Sequence, residues 1–186
     1  MASLWLFILT LAVVLLLPGP DMILLLQTGA RQGRGAALAT ALGLAIARAC
    51  HVALAALGLA ALFKTAPWTF DVVRIAGAAY LLWIGIQCFR SPLVPNLQAQ
   101  EQLLGEDQWR QAIRRGLLTN LLNPKALLFC SVLLPQFIVS HGTPVLGQFA
   151  LLGLVLVSVG LLFDSVVAMT GAALGRWLQH SPTAQR

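Results

Sequence analysis

Asp21 and Lys125 each follow directly on a break in an apolar run. Pro18-Gly19-Pro20-Asp21 interrupts the run from Leu4 to Leu26, and Thr119-Asn120-Leu121-Leu122-Asn123-Pro124-Lys125 interrupts the run from Gly116 to Ser140. Proline removes an N–H donor and disfavours the helical conformation in the residue before it, so both stretches stop or restart a helix. In a membrane, a broken helix with an ionisable group at the break is tolerated only where protein or a water-filled cavity satisfies the freed groups. Two interrupted apolar segments in corresponding positions of two halves point to the binding site of a secondary transporter.

The two breaks offer different chemistry. Asn123 has the character of an N-cap, with Pro124 at the first helical position, so N–H groups and a positive helix end lie beside Lys125. An anion such as a substrate carboxylate fits there. Asp21 can cap a helix starting at Met22 and, ionised, can meet an ammonium group or carry a proton. One pocket with both signs suits a zwitterion. The expected substrate site is Pro18, Gly19, Pro20, Asp21, Asn120, Asn123, Pro124 and Lys125. The competing reading is a structural ion pair between Asp21 and Lys125, because leaving either unpaired is costly. Asp164 is a second candidate proton carrier beside Asp21, or else a partner of Arg48 or of Ser165. Arg48 and His51, one turn apart in the second apolar segment, are candidate selectivity residues, with a packed interior histidine as the plainer reading of His51. Asp71 and Arg74 read as a local pair at a membrane edge.

The elements that must position these groups are membrane helices. Of 186 residues, 59% are hydrophobic and 10% charged, against about 25% charged in a soluble domain. The composition is that of an all-α polytopic membrane protein. A span needs about 20 apolar residues, and five candidates appear: Leu4 to Thr28, Ala36 to Phe63, Val72 to Phe89, Gly116 to Val139 and Val145 to Leu174. Counted from the ends of their spans, Asp21 and Lys125 both lie ~12 to 15 Å into a ~30 Å core. The net charge of +6 does not form a solvated basic face, which argues against a nucleic-acid partner.

The basic residues sort by membrane side instead. Arg31, Arg34, Arg90, Arg110, Arg114, Arg115, Arg176 and Arg186 fall in or beside alternate connections, which places the N-terminus outside and the C-terminus in the cytoplasm. Without a basic start or a cleavage site, the first run reads as an uncleaved span. Residues 1–90 form a first membrane repeat of three spans, 91–115 a cytoplasmic linker, and 116–186 a second repeat of two spans with a short tail. Trp109 and Ile113 among the linker arginines suit a short surface helix or an interfacial anchor. Ala39, Gly43 and Ala47, and the 171–175 segment, make small-residue faces that serve helix contacts and permit a homodimer. Cys50, Cys88 and Cys130 read as buried small hydrophobes, not disulfides or metal ligands.

Several of these segments resemble the LysE/RhtB family of amino-acid exporters. The resemblance rests on Pro18-Gly19-Pro20-Asp21, on Leu42-Gly43 with His51 downstream, on 76–85 (AGAAYLLWIG), and on 116–125 (GLLTNLLNPK) running on to Leu134-Pro135-Gln136-Phe137. It implies a multi-pass transporter of the bacterial plasma (inner) membrane, an antiporter exporting amino acids or derivatives in exchange for protons. It implies no enzymatic activity and no cofactor or metal, the partners being a small amino-acid substrate and the lipid bilayer. The family pattern has six spans in two groups of three, and the sixth is absent from the five read here, which leaves the inverted repeat incomplete. Such proteins more usually carry a small or acidic residue in the place of Arg48. That tilts the expected substrate toward neutral, threonine- or homoserine-like amino acids over basic ones. The alternatives are a non-transporting or degenerate five-span membrane subunit, or an exporter of another small solute or metal ion. The lack of a His/Cys/Asp cluster at ligand spacing argues against the metal.

Overall fold

The structure is a computed structural model describing residues 2–65, 107–139 and 144–180, all helical apart from short connections. The third expected span, most of the linker, Asp71, Arg74, Cys88 and the C-terminal tail lie outside the described residues. The described elements are α1 (Ala2–Leu16), α2 (Pro20–Thr65), α3 (Asp107–Leu121), α4 (Pro124–Leu128) and α5 (Val145–His180). After α4 the chain makes a π turn over Phe129–Leu133 and a 3-10 turn over Leu134–Phe137.

Although helical over its whole length, α2 is two arms rather than one rod. Gly33 sits at φ 84°, in the left-handed region that glycine alone enters readily. On a straight helix Asp21 and Arg48 would be ~40 Å apart, yet their side chains stand 3.6 Å from each other. Leu25 likewise shares a buried cluster with Ala37, Ala41 and Leu44. The chain therefore folds back at Gly33, between Arg31 and Arg34, where the sequence places a loop between two spans. The first broken element runs through α1 and the first arm, 2–32, and the second arm, 34–65, returns beside it.

The second broken element runs from α3 through Phe137, with a bend of 59° between its halves. Its helix begins at Asp107, before the expected span start at Gly116. The arginine-rich end of the linker thus continues into the span and is not a separate surface helix, because Ala112 and Ile113 pack on Ala36 and Ala39 of the second arm. Past the bend, Pro135 withholds the donor that the Ser131 carbonyl would take in an α-helix. The ladder there steps to wider π spacing, with the Leu134 N–H reaching the Phe129 carbonyl.

Two kinds of packing hold these elements. At one end glycines let backbones touch. A β-carbon on Gly43 would overlap the Ile113 carbonyl, one on Gly116 the Thr40 carbonyl, and one on Gly175 the Ala30 carbonyl. The small-residue faces are thus consumed by helix contacts inside the chain. At the other end Phe7 packs its ring against Phe129 and Phe137, with centroids 6.0 and 5.1 Å apart, in a cluster with Leu11, Leu134 and Phe149. Gln148 of α5 bonds Val139, its amide donating to the Val139 carbonyl and accepting from the Val139 N–H. The outer face of α5 exposes Leu151, Leu154, Leu162 and Val166, as a lipid-facing surface requires. Cys130 is buried as expected, but Cys50 is exposed, because it shares the outward side of the second arm with Ala49, Ala53 and Leu54.

Candidate functional site

The breaks of the two broken elements meet. Asn123 caps α4, its side-chain oxygen accepting from the Lys125 N–H at 3.0 Å with Pro124 at the first position. The cap forms as the sequence predicts, but it uses one of the N–H groups expected to be left for an anion. The same amide donates its N–H to Asp21 Oδ1 at 2.9 Å, and the Asn120 amide donates to Asp21 Oδ2 at 2.6 Å. Asp21 does not cap a helix at Met22. The helix starts at Pro20, where the Ile23 N–H takes the Gly19 carbonyl, and the Asp21 carboxylate reaches across to the other break.

Lys125 returns the contact. Its Nζ donates to the Leu17 carbonyl at 2.7 Å, a carbonyl left at the end of α1 where Pro18 and Pro20 stop the ladder. Each break thus supplies what the other lacks. His51 completes the exchange. Proline at 124 has no N–H for the Asn120 carbonyl, which would otherwise close the α-helical ladder. That oxygen accepts instead from the Asn123 N–H at 3.0 Å and from His51 Nε2 at 3.2 Å. A carbonyl only accepts, so Nε2 carries the ring hydrogen. His51 Nδ1 and Asn120 Oδ1 are buried without a partner among the described residues.

Arg48 joins the second acid to this group. Its Nη1 bonds Asp164 Oδ2 at 2.5 Å and its Nη2 lies 3.6 Å from Asp21 Oδ2. Of the readings open for Asp164, its geometry is that of a partner of Arg48, while the Ser165 hydroxyl goes to the Leu161 carbonyl. Gly160 makes the approach feasible, since a β-carbon there would press on the guanidinium at 2.9 Å. Sequence reasoning missed Gly160. Its signal is its position one turn before a buried acid on the same helix face.

A cavity of about 50 Å³ lies at the crossing, lined by Asp21, Arg48, Asn120, Asn123, Lys125 and Asp164 with an apolar wall that includes Phe129, Leu156 and Phe163. One water needs ~10–15 Å³ by this measure, so there is room for a few. Gly19 lines it as well, and a β-carbon at Gly19 would meet the Lys125 side chain at 3.8 Å. Pro18 and Pro20 are exposed and Pro124 faces outward, so these prolines shape the breaks. His51 is 4% exposed and holds the wall by way of Asn120.

Two broken apolar helical elements meeting at mid-length, with acidic and basic side chains around a cavity where they meet, define a multi-pass membrane transporter. Residues 12–186 match the family of LysE type translocators, and the chain belongs to that family. It is a translocator and not an enzyme. The chain is 31% identical over 175 residues to the homoserine/homoserine lactone efflux protein of Salmonella typhimurium, covering 93% of this chain and 82% of that protein. It is 31% identical over 175 residues to the leucine efflux protein of an Enterobacter species, covering 94% and 82%. The leucine efflux protein of Klebsiella pneumoniae is 34% identical over 167 residues, covering 89% and 77%. No solved structure matches the chain.

Proposed function

We propose that this protein exports neutral amino acids across the bacterial inner membrane in exchange for protons, binding them as zwitterions where the two breaks cross. The observation that carries the reading is the cavity wall, which holds the ammonium of Lys125 and the carboxylates of Asp21 and Asp164 among side chains otherwise largely apolar. One of the contacts of Lys125 is a donation to a neutral backbone carbonyl. A substrate carboxylate makes the stronger, charge-assisted bond and displaces it. The fixed charge of Arg48 opposes a basic substrate side chain, and the relatives named for leucine and homoserine efflux are in keeping with a neutral substrate.

Proton exchange falls to Asp21 or Asp164. Both share Arg48, so protonating one releases the guanidinium toward the other and loosens the contact between α5 and the first broken element. In this reading residues 1–90 and 116–186 are two inverted membrane repeats joined by a cytoplasmic linker, with the N-terminus outside.

The test is efflux from cells preloaded with labelled leucine, homoserine and lysine under an imposed pH gradient. Faster, gradient-dependent loss of leucine or homoserine, but not lysine, is the expected result. Lys125→Ala should abolish that flux with membrane insertion intact, and undiminished flux in the variant sinks the carboxylate site. Asp21→Asn should uncouple or stop the proton-driven component. Normal coupling in that variant transfers the role to Asp164.

A further inference from the structure

The hydrogen bonds around Asn120 assign the other end of the substrate. Asn120 is fully buried on the cavity wall. Its backbone oxygen is taken twice, by His51 and by the Asn123 N–H. Its side-chain nitrogen is taken by Asp21. A carboxylate accepts only, so the amide cannot be turned over without setting oxygen against oxygen, and Oδ1 is fixed on the other corner of the group. That Oδ1 has no partner among the described residues. A buried acceptor left unmade is costly, and in a native structure it calls for a ligand or a water.

Asp21 is the obvious group to meet an ammonium ion, but each of its oxygens already accepts one hydrogen bond, whereas Asn120 Oδ1 accepts none among the described residues. Oδ1 accepts from Asn123, and Oδ2 accepts from Asn120 with Arg48 at 3.6 Å. We propose that the acceptor for the substrate's α-ammonium group is Asn120 Oδ1, with Asp21 fixing the amide's orientation and supplying the negative field behind it. The proposal rests on the amino-acid reading above and names the residue that recognises the amine. His51, bonded to the same residue's backbone, is a positioning residue for this contact.

The chemistry predicts discrimination against acids that lack the amine. A site built to hydrogen-bond a substrate N–H leaves its buried acceptor unpaired when the analogue lacks that group. The experiment measures binding of labelled leucine and of isocaproate, the same carbon skeleton without its amino group, to the purified full chain in proteoliposomes. Wild-type protein should bind leucine about ten- to a hundredfold more tightly, as one charge-assisted hydrogen bond allows. Asn120→Leu should lose that preference by weakening leucine alone. Lys125→Ala should weaken both ligands.

An equal loss of both ligands in Asn120→Leu would overturn the assignment and make Asn120 a structural residue. Equal binding of both by the wild type would overturn it without any variant, and would mean that Oδ1 serves a water. If Lys125→Ala still weakened both in that case, the carboxylate site would stand and only the ammonium assignment would fall. Wild-type protein that binds neither ligand would overturn both.

Discussion

Arg48 holds the charge arrangement together at the scale of single residues. It is 5% exposed and Asp164 2% exposed, so Asp164 depends on Arg48 for its counter-charge, while Arg48 also has Asp21 at 3.6 Å. Removing one partner of a buried pair strands the other, at a cost of about 3–5 kcal/mol, whereas replacing both with apolar groups of similar volume is often neutral. Arg48→Met should therefore unfold the detergent-solubilised protein at markedly lower temperature, and Arg48→Met with Asp164→Leu should regain most of the loss. A double variant no more stable than Arg48→Met would show that Asp21 is the partner that matters. Much of this site was legible from the chain. The prolines announced both breaks, and depth counting set Asp21 and Lys125 at one level. Counting residues along a helix gives depth but not azimuth, so it could not tell that Asp21 would face Asn120 and Asn123. Nor could it choose between the two readings of Asp164, since that depends on which side of α5 meets the second arm. The unpartnered oxygen of Asn120 was out of reach for the same reason.

The elements touch where side chains are smallest. Gly43 and Gly116 let the second arm of α2 and α3 cross backbone to backbone, and Gly29, Gly171 and Gly175 do the same for the first arm and α5. Adding a methyl group at such a crossing forces the helices apart, with loss of close packing along both, because tight packing drives helix association in lipid. Gly58 is the internal control, with no described residue within 4 Å of its β-carbon position. Gly43→Ala and Gly116→Ala should each lower the yield of folded, detergent-stable protein. Gly58→Ala should hold or raise stability by about 0.5–1 kcal/mol, because alanine is the better helix former. Equal behaviour of all three variants would show that the crossings do not limit stability. The small-residue faces could be read from spacing alone, since Ala39, Gly43 and Ala47 lie four apart. Their partners could not, because a face of small residues is complementary to many others. The start of α3 was misplaced for a related reason. A polar, arginine-rich segment reads as linker until one sees Ala112 and Ile113 packed on Ala36 and Ala39.

At the scale of the whole molecule, Arg31, Arg34, Arg110 and Arg176 gather at one end among the described residues, and the packing shows why. Ala30 lies against Gly175, and Gly35 against the ring of Trp109. Arg31, Arg34, Arg110 and Arg176 are therefore neighbours or near-neighbours at a single end, while Val52 meets Gly153 toward the other. The contacts also fix directions. Leu26 and Ala30 pair with Gly171 and Gly175 in ascending order, so the first arm and α5 run parallel. Gly35, Thr40 and His51 pair in the same ascending sense with Trp109, Gly116 and Asn120, so the second arm and α3 also run parallel. The predicted third span falls in the interval between these two helices, outside the described residues. If the positive-inside rule governs this chain, the arginine-rich end is cytoplasmic. In a background with Cys50, Cys88 and Cys130 replaced by alanine, Leu146→Cys should react with a membrane-impermeant maleimide on intact cells. Gln32→Cys, beside the reversal at Gly33, should react only after permeabilisation. The opposite pattern would invert the protein in the membrane. Labelling of both positions before permeabilisation would mean that Gly33 and the start of α5 do not lie on opposite sides, contradicting the parallel packing itself.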